Sequence, residues 1–298
     1  MGDSEVNTDG SIDTGLTIQP GLGLAIDSGM PGSHPLGDYL RARRELLHPA
    51  DVGLLEGHGP RRVAGLRRSE VALLAGISTE YYIKLEQGQE ANPTGQVLDA
   101  LSSALRLDAT ANSYLHSLAR LVETPVYPVS APVVERTRWL IDSWPTTAAM
   151  ILDSHNDILA TNALMRALIP GFSAGSNSLG AQLLDPSMRE LYVEWEGLSA
   201  RSIGLFRSLS GPHPDERSRE LIAQLTRDSP RFRELWERHD IIGMTEGTHP
   251  MRHPVVGALV LHYAHLPLTG SAGCSIFLYY AEPGTPSEEA LADLARGR

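Results

Sequence analysis

Residues 66–88 read LRRSEVALLAGISTEYYIKLEQG, and this stretch decides the fold of the chain's first part. Its apolar residues fall into two short helical periods separated by Ala75-Gly76-Ile77-Ser78. Ser69 to Leu74 predicts a helix that stops at Ala75-Gly76, because glycine best tolerates the left-handed conformation that ends a helix. Ile77 can plug a core, and Ser78 is placed to cap a second helix by accepting from an amide of its first turn. In that helix Tyr82 and Leu85 fall three apart and face inward, which leaves Thr79, Glu80, Tyr81 and Lys84 outside. Two short helices joined by a tight turn, with small and polar residues opening the second, form the layout that enters a DNA major groove. The same layout occurs in helical bundles that bind no nucleic acid, so the flanking residues matter.

Those residues are basic. Arg61-Arg62 precede the first helix and Arg67-Arg68 stand at its start, while Arg41, Arg43 and Arg44 lie on an earlier helix. Guanidinium groups in these places can hold phosphates on both sides of a groove. Residues 34–121 carry ten basic and ten acidic side chains, yet the whole chain is −11. DNA affinity would therefore come from a local patch and fall steeply with salt. Lys84, on the expected reading helix, is the only lysine among 25 basic residues.

At 298 residues the chain is long enough for two domains. The single Cys274 excludes an internal disulfide. No apolar run approaches the ~20 residues of a membrane span, and the N-terminus lacks the regions of a signal peptide. A cytoplasmic protein with no membrane partner is expected.

Residues 1–33 are polar and aperiodic and are expected to be a disordered tail. Residues 34–122 predict a five-helix, all-α domain. Its helices are Leu36–Leu47, the pair above, one through Val97–Leu105, and Ala111–Leu121; residues 48–65 read as a long loop. Residues 123–143 predict a proline-rich linker and a connecting helix. Residues 144–298 predict an α+β domain. A hairpin spans Ala148–Leu152 and Ile158–Ala160, followed by a short helix at Asn162–Leu168. A long helix at Ser187–Leu209 and helices at Asp215–Arg227 and from Ser229-Pro230 come next. Strands at Val255–Leu266 and Cys274–Ala281 and a helix at Pro286–Leu294 close the chain. Such a sheet, with helices gathered on one face, can curl around a small-molecule cavity in the manner of PAS-type sensors, an analogy of fold.

The sequence from residue 36 to about 295 resembles the MmyB-like transcription regulators of actinobacteria and related bacteria. The first part carries this in LGDYLRARRELL (36–47), RRVAGLRRSEVALLAGIS (61–78), EYYIKLEQG (80–88) and VLDALSSALRL (97–107). The second part carries it in LLDPSMRELYVEWEG (183–197), SPRFRELWERHDI (229–241), RHPVVGALVLHYAHL (252–266) and YYAEPGTPSEEAL (279–291). The resemblance implies an XRE-type helix-turn-helix followed by a PAS-like domain that holds a small apolar ligand such as a fatty acid. It matches Arg61, Arg62, Arg67 and Arg68 to the family's phosphate-side arginines, and Thr79, Glu80, Tyr81 and Lys84 to the reading face. Ala64, Gln89 and Glu90-Ala91 depart from the family pattern.

The expected mechanism is a homodimer on a double-stranded operator, with Ser78 capping the reading helix and two such helices in successive major grooves. Trp195, Phe206, Trp236 and Phe277 are candidate walls of the ligand site or plain core. Arg207 is a candidate partner for a ligand carboxylate, or a surface charge. No Gly-rich phosphate loop and no G-x-S-x-G elbow appears, so catalysis is not expected. His262 and His265 fall on opposite faces of a strand, and His249 and His253 sit in a loop or strand edge, so neither pair is a good metal site. The rival reading is a protein-interaction module, antitoxin-like or an adaptor, without direct operator binding.

Overall fold

A computed structural model describes residues 34–54, 65–90, 92–119, 131–212, 214–243, 246–269, 271 and 273–297. The expected N-terminal tail, the proline-rich linker, and Arg61 and Arg62 lie outside the described residues.

The first domain is built from α1 (Pro35–Leu46), α2 (Arg68–Leu74), α3 (Thr79–Glu86), α4 (Gly95–Ala104) and α5 (Ala109–Ala119). Local chemistry sets the boundaries. Pro35 opens α1, where a missing amide costs no intrahelical bond. The Arg67 amide donates to the Glu70 carboxylate at 2.6 Å ahead of α2. Thr94 Oγ1 accepts from Val97 N at the start of α4, and Asp108 Oδ1 from Ala111 N at the start of α5. After α2, Gly76 takes φ +65°. Its amide bonds Leu73 O while the Ile77 amide reaches Ala72 O, a pair of bonds that satisfies carbonyls at a helix end. Tyr39, Leu40, Leu66, Val71, Tyr82, Leu85, Leu101 and Leu115 are fully or almost fully buried at the centre. Gly37 lets α1 and α3 touch, since a Cβ there would sit 2.4 Å from Glu86 O. One expectation is corrected: the segment after α1 is not wholly loop, because Pro49–Val52 form a turn of 3-10 helix, anchored by the His48 amide donating to Asp51.

The second part begins with α6 (Ala131–Asp142) and continues β1 (Ala148–Leu152), β2 (Ile158–Thr161), α7 (Ala163–Leu168), α8 (Ser178–Leu184), α9 (Ser187–Leu191), α10 (Trp195–Ser210), α11 (Glu216–Asp228), α12 (Pro230–Glu237), β3 (Gly247–His253), β4 (Gly257–Pro267), β5 (Ser275–Tyr280) and α13 (Pro286–Ala295). The strands make one antiparallel sheet in the order β2-β1-β5-β4-β3. The chain is thus an all-α domain followed by an α+β domain, as the sequence predicts.

Three details differ from expectation. The long helix over 187–209 is two helices, broken where Tyr192 bridges Met251 and the Val193 amide donates to Pro250 O. Helix α8 and strand β3 are additional elements. The helices are not all on one face either. Alternate residues Met150 and Leu152 face the large core with α7 and α13, whereas Ala149 and Ile151 face a smaller core that includes Ile141 of α6. That split follows from the two-residue period of a strand.

Candidate DNA-reading surface and ligand cavity

Helix α3 is held by its own cap, Ser78 Oγ accepting from Tyr81 N at 3.1 Å. Tyr82 and Leu85 are buried, Thr79, Glu80 and Lys84 are exposed, and Tyr81 is half-buried against the core. Glu80 and Lys84 form an ion pair at 3.1 Å, one turn apart. An exposed pair of this kind is worth at most about 1 kcal/mol, so it yields readily to phosphate or a base edge.

Behind the reading helix lies a buried ionic cluster that the sequence did not reveal. The Glu86 side chain is fully buried and accepts from Arg44 Nε and Arg68 Nε, each at 2.6 Å. Burial pushes the Glu86 carboxyl up, but the bonds from Arg44 and Arg68 outweigh it and hold the group below its ordinary value. Arg44 also donates to Leu66 O at 2.9 Å. One carboxylate therefore ties α1, α2 and α3 together.

This cluster corrects the expected role of the first-helix arginines. Arg44 is 4% exposed and cannot reach phosphate. Arg43 donates to Asp240 of the second part at 2.8 Å. Arg41 stays open to solvent beside Asp38, at 3.8 Å. Arg67 is exposed. Arg68 is half-exposed, and its remaining guanidinium nitrogens are available outside the Glu86 bond. The candidate reading surface is thus α3 with the start of α2.

The second domain holds a cavity that opens to solvent, enclosing ≈ 670 Å³ when the solvent at its mouth is counted. Its floor is the sheet, through Met150, Leu152, Phe277 and Tyr279, and its walls come from α8, α10 and residues 242–243. Among the described lining residues Arg201 of α10 is the one formal charge and none is a carboxylate. Opposite, His249 Nδ1 shares a 2.8 Å hydrogen bond with Tyr279 Oη, which lies 3.1 Å from Tyr192 Oη. His249 Nε2 and His265 Nδ1 are buried without a protein partner. Burial, then Arg201 and His265, push His249 down to about 4, and burial alone does the same to His265. Both rings are therefore neutral near pH 7.

Of the residues expected to line a ligand site, the structure places Phe277 in the cavity wall. The other four lie elsewhere. Trp195 donates to Gln182 O at 3.0 Å beneath the Arg189 guanidinium. Phe206 and Trp236 pack together between α10 and α12, with Phe232 stacked on Trp236. Arg207 is neither a surface charge nor a cavity residue. It is 6% exposed, lies 3.7 Å over the Trp236 ring, and donates to Trp236 O and His239 Nδ1. Burial lowers it to about 10, so it remains charged. Arg201, six residues earlier on the same helix, is the cation that faces the cavity.

His155, on the β1–β2 turn, lies 3.3 Å from Asp153 and 2.8 Å from Asp215. Asp153, His155 and Asp157 bring possible ligand atoms within 4.8 Å of one another. Arg217 and Asn177 occupy the Asp157 oxygens, however, and backbone amides engage Asp153 Oδ1. The cluster locks the turn to the start of α11.

A capped pair of short helices, joined to a domain with a cavity, is the arrangement of a DNA-binding transcription regulator with a ligand-sensing domain. Residues 61–111 match the helix-turn-helix family, and residues 133–294 match the MmyB-like transcription regulator ligand binding domain. The second match spans more than half of the chain, which belongs to that family. No curated protein matches the chain. Among the described residues no helix is long and apolar enough to cross a membrane.

Proposed function

We propose that this chain is a cytoplasmic, homodimeric regulator whose cavity takes an amphipathic anion, a fatty acid being the best fit, and whose operator affinity depends on occupancy. The observation that carries the ligand class is the cavity lining, where apolar side chains such as Met150, Leu152, Leu198 and Phe277 stand beside neutral polar groups, the Arg201 guanidinium and two unpartnered ring nitrogens. Buried polar groups without partners are costly, so a ligand head that supplies them gains affinity. A carboxylate meets Arg201, and the tail lies on Met150, Leu152 and Phe277. On DNA, Arg67 and Arg68 meet phosphates, and Thr79, Tyr81 and Lys84 face base edges. Glu80 accepts from a cytosine amino group or repels phosphate at wrong sites. Arg61 and Arg62 keep the phosphate role that the family resemblance implies.

The test is a fluorescence-anisotropy titration of the full chain on its own upstream DNA at two salt concentrations, with and without myristate. Salt-dependent, sequence-selective binding that myristate alters is expected. Arg201→Gln should weaken myristate by about tenfold or more, as expected for a charge-assisted bond, and leave the corresponding alcohol unchanged. Equal loss for acid and alcohol would remove the anionic head. Absence of selective DNA binding, here and across genomic fragments, would turn the reading toward the protein-interaction module.

A further inference from the structure

Residues 239–243, between α12 and β3, touch both domains. Residues 34–298 form a single contact unit, and this short segment is where its two cores meet. Ile241 is 6% exposed and belongs to the buried cluster of the first domain, with Tyr39, Leu40 and Leu115. Among the described residues it is the only buried member of that cluster from beyond α5. Asp240 receives Arg43 of α1 at 2.8 Å and Arg238 at 3.0 Å. The His239 ring stands edge-on to Tyr39 of α1.

The next two residues also reach the other side. Ile242 and Gly243 line the ligand cavity. The Ile242 amide donates to Gly204 O of α10 at 3.3 Å, and its side chain lies so close that a Cβ on Gly204 would come within 2.9 Å of it. Gly243 lies against α5, where a Cβ would meet Thr110 Oγ1 at 2.9 Å. Within three residues the chain passes from the helix-turn-helix core to the cavity wall. The segment also has a constrained start: His239 holds φ +53°, uncommon for a residue with a side chain, and Arg207 donates to its ring at 3.2 Å.

We propose that residues 239–243 transmit cavity occupancy to the helix-turn-helix domain. This rests on the reading that the cavity takes a ligand. A molecule seated against Ile242 and Gly243 shifts them, and the shift reaches Ile241 one bond away. Ile241 is packed in a core that does not deform continuously, so the first domain repacks around it or moves with it. Asp240 carries the same displacement to α1 through Arg43. Coupling of this kind needs a packed element with two arrangements that both sites bias, and the segment supplies the shared contacts.

The test uses the full chain and has two arms. In the first, Leu205→Trp on the α10 wall fills the cavity without any ligand, and amide exchange is read in α1 and α5. A change of about threefold or more is expected there, in the range of coupling energies between linked sites. The same substitution is then made in the Asp240→Asn, Ile241→Val background and compared with its own parent, so that general destabilisation cancels. The response of α1 and α5 should disappear. Ser202→Phe repeats the measurement should Leu205→Trp fail to fold. In the second arm myristate replaces the filling substitution.

A response confined to α8 and α10, or one undiminished in the double background, overturns the proposal. If myristate does not bind while the filling substitution still reaches α1 and α5, the transmission stands and the fatty-acid reading falls. If myristate binds and neither perturbation reaches α1 or α5, the ligand reading stands and the transmission falls.

Discussion

Lowering the pH from 6.5 to 5 should destabilise the second domain through His249, which is buried, and His239 and His265, which are partly buried. His239 is pushed down to about 3, first by burial and then by Arg207 and Arg43. His249 and His265 are each pushed down to about 4. The unfolded chain binds protons at these rings below about 6.5, while the folded chain does not until about 4 or lower. The unfolded state therefore holds more protons in this window, and stability falls as the pH falls. Each unit of separation is worth about 1.4 kcal/mol, so each histidine costs about 2 kcal/mol by pH 5. Three together approach the whole stability of an ordinary domain. The depressed carboxylates Glu86, Asp157 and Asp215 lose their contributions as the pH falls through and below the ordinary carboxyl range, mostly beneath this window. His155 has the opposite sign. Burial lowers it, but Asp215 and Asp153 win and raise it, so its contribution is full below about 6.5 and is lost as the pH rises. All four tryptophans, Trp139, Trp144, Trp195 and Trp236, lie in the second part, so urea unfolding followed by tryptophan fluorescence reports on it. Stability should drop by several kcal/mol between pH 6.5 and 5, and His249→Gln should show a drop smaller by about 2 kcal/mol. Equal stability at the two pH values would refute the reasoning.

Further outcomes follow from the first domain. Glu86→Gln leaves the buried Arg44 without its carboxylate and should cost about 3–5 kcal/mol in denaturant unfolding; a loss near zero would show that the cluster is not an ionic tie. Gly37→Ala places a methyl 2.4 Å from Glu86 O, so α1 must move away from α3, and operator affinity and melting temperature should fall together. Lys84→Ala should weaken operator binding by about 1–3 kcal/mol if the ammonium reads a base, or reduce the salt slope by about one if it meets a phosphate; anisotropy at several salt concentrations separates the two.

The helix-turn-helix was legible because its signals are local. Ser78, Thr94, Asn162, Asp215 and Ser229 each accept from an amide three residues on, and such caps can be read from neighbouring letters. What the letters hid depends on distant parts of the chain. Glu86 stands at the end of an exposed-looking helix, and its partners lie 42 and 18 residues away. The break at Tyr192–Glu194 carries no proline or glycine and arises from pairing with residues 250–251. Strand β3 contains Pro250, which argues against a central strand but is compatible with the sheet edge it occupies. Arg201 and Arg207 share a helix, and only the fold shows which of them turns to the cavity and which is buried against the Trp236 ring.

The tie at Glu86 also fixes the mechanics of reading. With α1, α2 and α3 pinned to one carboxylate, the recognition helix cannot swivel independently of its supporting helices. It meets DNA as a stiff probe whose aim is set by the placement of the whole head. Selectivity would then be a matter of aim, and on the proposed transmission a signal from the cavity would act by steering the head rather than by reshaping its tip.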